Sequence, residues 1–117
     1  RGDRAARDKQ WGKNYSFFGA PVELFIYIHK SLHIYAASDA GLMMENLMLS
    51  AHAHGLGTCA QGAVSFWDDV VRGEFEISKD YRLLCGIAIG YPSNSPVNSF
   101  GAHRIGLDEL LFKAKKR

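Results

Sequence analysis

Leu83-Leu84-Cys85-Gly86-Ile87-Ala88-Ile89-Gly90-Tyr91 is almost unbroken in apolarity, with glycine at positions 86 and 90. An apolar run of this length reads as a strand covered on both faces. Glycines inside it are expected where another backbone or a ligand packs closely. Moving outward, Val22-Glu23-Leu24-Phe25-Ile26-Tyr27-Ile28 is rich in β-branched and aromatic residues and reads as a second strand, also covered on both faces. Pro21 before it favours extended geometry at Ala20. The short segment Gly57-Thr58-Cys59-Ala60 reads as a third strand.

Helical segments surround these strands. Asp3–Lys13 is rich in Ala, Arg and Lys and reads as a surface helix anchored by Trp11, followed by an aromatic loop from Asn14 to Pro21. From Tyr35 to His54, apolar residues occupy more than one face, which predicts a helix buried nearly all round. Gly55 supplies the left-handed conformation that closes it, and Leu56 is placed to fold back on the last turn. Ser65, with Asp68 three positions later, resembles the N-cap of a short helix Phe66–Arg72 ended by Gly73. After a polar loop from Pro92 to Gly106, Leu107–Lys116 reads as a final helix, acidic early and basic late as the helix dipole favours. Two long strands, a short one and several helices give an α+β fold, without internal repeat or linker.

Composition narrows the function. The 47% apolar content of these 117 residues argues against disorder and coiled coil. The apolar stretches fall short of the roughly 20 residues of a membrane span. The net charge of +2 conceals basic ends and an acidic body: residues 1–14 and 113–117 together carry +7, residues 15–112 carry −5. A nucleic-acid binder has the opposite arrangement. Cys59 and Cys85 lie in apolar contexts without ligand spacing, which reads as buried thiols in a reducing, cytoplasmic setting. The Arg1-Gly2-Asp3 tripeptide carries no weight without a secretion signal. The chain opens at Arg1 with a charged run in progress and without an initiator methionine, as a piece of a longer protein would.

Several chemistries are excluded by pattern. The glycines at 55, 57 and 62 follow a helix, whereas a dinucleotide fingerprint opens one, and no phosphate-binding loop motif occurs. His52 and His54 project about 200° apart on a helix and cannot share a metal, and no HExxH is present. Asp68 and Asp69 fit the first turn of a helix. Two features stay open. Ala60-Gln61-Gly62-Ala63 is either a plain tight turn or a backbone able to approach a flat ligand. Arg104 has no acidic residue within three positions and either binds an oxyanion such as phosphate or pairs with a distant carboxylate.

Taken in order, Asn14-Tyr15-Ser16-Phe17-Phe18-Gly19-Ala20-Pro21-Val22, Met44–Ala51, Gly55–Cys59, Asp80–Tyr91, Pro96-Val97-Asn98, and Arg104 with Leu107-Asp108-Glu109 resemble the FMN-dependent nitroreductase family, most closely its nitroarene and nitrobenzoate reductase branch. The resemblance implies the carboxyl-terminal part of a three-layer α/β/α fold with a mainly antiparallel sheet, residues 1–117 forming an incomplete domain. It also implies a homodimer that binds FMN, takes hydride from NADH or NADPH, and reduces nitroarenes, quinones or other small-molecule acceptors in a ping-pong cycle. Gln61, Gly62 and Ala63 match the segment whose backbone approaches the flavin, with an amide donating to N5. Arg104 matches the arginine on the FMN phosphate, and Ala102 stands where some members have an assisting lysine. The helix near Tyr35–His54 matches the long central helix that contributes to the dimer interface. The family's amino-terminal portion, with its Arg-Ser-x-Arg phosphate motif, has no counterpart here. The alternative implied is a truncated, non-catalytic domain that keeps only a folding and dimerisation surface.

Overall fold

The computed structural model describes residues 2–115. Its framework is a three-stranded antiparallel sheet of β1 (Val22–His29), β2 (Gly57–Gln61) and β3 (Tyr81–Gly90), in the order β1-β3-β2. The stretch around Leu83–Tyr91 is therefore the central strand, which explains its apolarity on both faces. Strand β1 runs from Val22 opposite Ile89 to His29 opposite Tyr81, with a register slip between Ile26 and Tyr27. Leu84 is the extra residue at this bulge. Strand β2 pairs Gly57 with Gly90 and Gln61 with Gly86.

Helices cover both faces. Helix α1 (Arg4–Gly12) is capped by Asp3, whose Oδ1 accepts from Ala6 N at 3.0 Å, and its Trp11 is half exposed. Helix α2 (His33–Ala53) packs on one face of the sheet, where Ala36 and Ala40 meet Ile26, Ile28, Cys85 and Ile87. Its closure follows the expected chemistry: Gly55 adopts φ +75°, its N–H donates to His52 O, and Leu56 N–H donates to Ala51 O at 2.9 Å. This pair of bonds satisfies two carbonyls left over at the helix end. On the opposite face, a 3₁₀ segment (Gly62–Trp67) and α3 (Asp68–Glu74) bring Val64 and Val71 onto Leu83, Phe25 and Tyr27.

Five expectations are corrected. Helix α2 is not buried all round: Ile34, Tyr35, Leu42 and Leu49 are exposed, because only one flank reaches the sheet and nothing among the described residues covers the other. Ser65 caps no α-helix. It sits inside the 3₁₀ segment, its hydroxyl donates to Gly62 O at 2.8 Å, and α3 continues through Gly73 to Glu74. The aromatic loop is a 3₁₀ segment (Lys13–Gly19) in which Phe17 and Phe18 hold φ of 50° and 54°. The final helix is a single turn, α4 (Leu107–Leu110), since no hydrophobic cluster receives it and so short a helix has little stability of its own; Lys116 lies outside the described residues, as does Arg1 of the tripeptide. Cys59 is exposed because β2 is an edge strand, while Cys85 is buried, and both are free.

The Cα radius of gyration is 17.7 Å. A compact chain of this length has about 13 Å. On α2 and along residues 91–112, core-type side chains such as Leu42, Leu49, Phe100 and Phe112 are exposed.

Candidate functional site

The sheet edge at the end of β2 holds the buried polar side chain of Gln61. Gln61 is the last residue of β2 and only 2% exposed. One end of its amide faces Asn14 of the 3₁₀ segment Lys13–Gly19, with Asn14 O at 3.3 Å and Oδ1 at 3.4 Å. The other end faces Glu23 of β1, whose two carboxyl oxygens lie 3.1 and 3.0 Å away. Directly after it, Gly62 is exposed, with nothing within 4 Å of where a Cβ would stand, and Ala63 is half-buried. Gly62 opens the 3₁₀ segment, so amide N–H groups at this corner lack carbonyl partners within the turn, and no side chain caps them.

Beside this corner lies an apolar cleft of about 260 Å³ lined among others by Tyr15, Phe17, Phe25, Val64, Trp67 and Phe75. Tyr15 and Trp67 meet edge to face at 4.5 Å, and Phe17 meets Phe25 at 6.2 Å. Such ring contacts help offset the left-handed backbone at Phe17, a conformation costly for any side-chain-bearing residue. Asn14 lines the cleft as well, which joins it to the Gln61 cluster.

Arg104 stands elsewhere. Its Nη1 donates to Ala102 O at 3.1 Å within its own exposed loop. Among the described residues it pairs with no carboxylate, and no hydrogen bond joins it to Gln61, Gly62 or Ala63. Gln61, Gly62 and Ala63 are consecutive at one corner, and among the described residues no hydrogen bond ties Arg104 to them. Also among the described residues, no three His, Cys, Asp or Glu side chains converge as a metal site would require.

Glu23 was absent from the sequence-derived set. Its signal was a carboxylate interrupting a strand otherwise apolar on both faces. Burial pushes its carboxyl from 4.5 up to about 7. Burial of Cys85 and partial desolvation of the thiol of the otherwise exposed Cys59, and then the Glu23 charge, push both thiols up. An acid whose folded pKa is raised holds a proton that the unfolded chain has already released. Its contribution to stability is therefore present below about pH 4.5 and lost as pH rises through about 7. Glu23→Gln should remove this loss, so its urea midpoint should exceed the wild-type midpoint by more at pH 8 than at pH 5. Parallel midpoints at both pH values would contradict the burial account.

A model of the nitroreductase family matches residues 1–91. The chain belongs to the nitroreductase family. Among curated relatives, the 4-nitrobenzoate reductase of Pseudomonas putida is 36% identical over 98 residues, 83% of this chain and 43% of the relative. Among solved structures, the FMN and NADPH-dependent nitroreductase NfnB from sphigopyxis sp. strain HMH superposes with a TM-score of 0.92 at 34% identity, covering 99% of this chain and 52% of that one. The FMN-dependent nitroreductase NfnB from Mycobacterium smegmatis, solved in complex with NADPH, gives 0.87 at 29% identity, covering 98% of this chain and 52% of that one. The chain spans about half the length of the nitroreductases it matches. Its α+β fold, with helices on both faces of an antiparallel sheet, is that of the family. Among the described residues, no helix is long and apolar enough to cross a membrane.

Proposed function

We propose that this chain serves an FMN-dependent oxidoreductase in which electrons pass from NADH or NADPH to nitroarenes, quinones or similar small-molecule acceptors in a ping-pong cycle. The observation that carries this reading is the corner Gln61-Gly62-Ala63. A flat ring can approach Gly62 because no atom occupies the space a side chain would fill, and the adjoining amides are neutral donors. The residues present therefore fit a flavin edge. When bound, FMN supplies the redox chemistry, accepting two electrons from the nicotinamide and passing them to the acceptor.

The protein's own contribution is binding and orientation. An amide of the corner would donate toward N5, with the buried Gln61 directly before it at the end of β2. Arg104, without a carboxylate partner among the described residues, supplies a cation for the phosphate. A homodimer is part of the proposal, because the exposed apolar flank of α2 at Leu42 and Leu49 is the surface a second copy would cover. The free thiols Cys59 and Cys85 accord with a cytoplasmic setting. We read no partnership with nucleic acid or membrane.

The test is direct. The purified chain mixed with FMN should keep flavin absorbance after desalting, and Arg104→Ala should weaken FMN binding at least tenfold, as loss of a charge-assisted contact of about 1.5–3 kcal/mol predicts. Colourless protein that gains no thermal stability from saturating FMN overturns the flavin reading for this chain. It would favour instead a non-catalytic domain that retains only the folding and dimerisation surface, a reading to which the uncovered flank of α2 lends support.

A further inference from the structure

Glu23 and Gln61 belong to strands that are not neighbours. Strand β3 runs between them, and the two backbones are separated by twice the strand spacing, about 9–10 Å. Their side chains meet because the residue between them is Gly86, which pairs with Gln61. A Cβ at position 86 would collide with the Glu23 carboxyl oxygen and stand 3.2 Å from both Glu23 Cδ and Val64 Cγ2. The carboxyl of Glu23 thus occupies the volume that a side chain at 86 would take, and reaches over β3 to the Gln61 amide.

A primary amide has one donor end and one acceptor end. Both surroundings of Gln61 are acceptors when Glu23 is ionised. Asn14 presents its backbone carbonyl and its Oδ1, because its own Nδ2 donates to Trp11 O at 2.9 Å. An ionised carboxylate accepts only. Gln61 can then satisfy one side and not the other. A proton on Glu23 resolves the conflict: its O–H donates to Gln61 Oε1 while Gln61 Nε2 donates to Asn14. Loss of that proton to solvent favours the turned amide, with Nε2 donating to both Glu23 oxygens and the tie to Asn14 released.

We propose that Glu23 is a positioning residue for the segment Gln61–Ala63: its carboxyl sets the direction of the Gln61 amide and decides whether the end of β2 is tied to the segment carrying Asn14. This rests on the flavin reading above, in which that corner meets the cofactor. The upward shift of the Glu23 carboxyl to about 7 agrees with a group whose neutral form is the better partner. The titratable groups that feel its charge are Cys59 from β2 and Cys85 from β3; the 3₁₀ segments facing it contribute Asn14 and Val64, which do not titrate.

The experiment follows the ¹⁵N resonances of the Gln61 side-chain amide and the Gly62 and Ala63 backbone amides of the full chain between pH 5 and 8, first alone and then with FMN. The expected result is a one-proton transition near pH 7 in all three, lost in Glu23→Gln with a well-dispersed spectrum retained. The two thiols are both pushed upward, away from this range. Resonances that stay flat in the wild-type chain overturn the proposal without any variant, and so does a transition that persists in Glu23→Gln. FMN should displace the Gly62 and Ala63 amides. If it displaces neither while the transition stands, the flavin reading fails and the positioning role falls with it, an outcome distinct from loss of the transition itself.

Discussion

Ile87→Ala should lower the unfolding free energy by about 2–5 kcal/mol, the range for truncating a buried branched aliphatic residue. Ile87 is the only large side chain with no exposed surface among the described residues, and it sits at the middle of the central strand. It faces Leu24 across β1 and Ala60 across β2, and packs with Ile26, Ile28, Ala36 and Ala40 under α2. The small residues Ala36 and Ala40 bring the α2 backbone close, so little remains nearby that can collapse into the void. Single domains have about 5–15 kcal/mol in total, and this one leaves much apolar surface uncovered, so the loss is a large fraction of what holds it. Urea unfolding followed by circular dichroism should show a midpoint displaced far downward with an unchanged slope. A displacement worth less than 1 kcal/mol would mean that the α2 face of the sheet is not the main core.

The strands were legible because two-sided burial leaves a direct mark. Leu83–Tyr91 and Val22–Ile28 are apolar without alternation, and the sheet covers both faces of each along most of its length, with Val22 and Tyr91 at their ends exposed. Gly86 and Gly90 were legible as close-approach positions for the same reason: a Cβ at Gly90 would stand 2.8 Å from Pro21 Cδ. The apolarity of α2 was legible but its burial was not. Apolar residues record what a helix is built to cover in the assembled protein, and Leu42 and Leu49 stay exposed among the described residues. The single turn at Leu107–Leu110 shows the same limit, since its charge pattern suits a helix dipole but no core cluster among the described residues includes it.

The site divided differently. Gln61, Gly62 and Ala63 are adjacent in sequence, so a local pattern of small residues could point to them. The partnership of Glu23, Gln61 and Gly86 spans three strands and has no local signature. It becomes visible only when pairing register sets Gln61 opposite Gly86 and Glu23 two residues along on β1, opposite Ala88. The fit is specific in a way sequence spacing cannot encode: an apolar residue at 23 would leave the Gln61 amide with Asn14 alone, and any larger residue at 86 would displace the carboxyl.

A second large effect is expected from Arg72→Met, which keeps most of the stem and removes every donor. Arg72 ties α3 to the turn that leads into β3: Nη1 donates to Ile77 O at 3.0 Å and Ser78 O at 3.2 Å, Nη2 to Tyr81 O at 2.6 Å, and Nε pairs with Asp68 at 3.0 Å. The guanidinium also lies 5.5 Å from the centre of the Tyr27 ring, whose hydroxyl donates to the same Asp68 oxygen at 2.8 Å. Burial pushes the Asp68 carboxyl up, but the Tyr27 and Arg72 hydrogen bonds and the Arg72 charge outweigh it and hold the carboxyl below its ordinary value. Burial and the Asp68 bond push the Tyr27 hydroxyl up to about 12. A carboxyl lowered in the folded state contributes stability that is present above its unfolded pKa and lost as pH falls through the folded one. Only the bond to Ile77 O is part-buried, so water replaces some of what is removed, and the expected cost is about 2 kcal/mol at pH 7. The loss should shrink as pH falls below 3.8, where the unfolded carboxyl takes up a proton and the contribution of the Asp68 pair declines. Equal losses at pH 7 and pH 3 would assign the effect to the three carbonyls and not to the Asp68 pair, because the carbonyl bonds do not titrate.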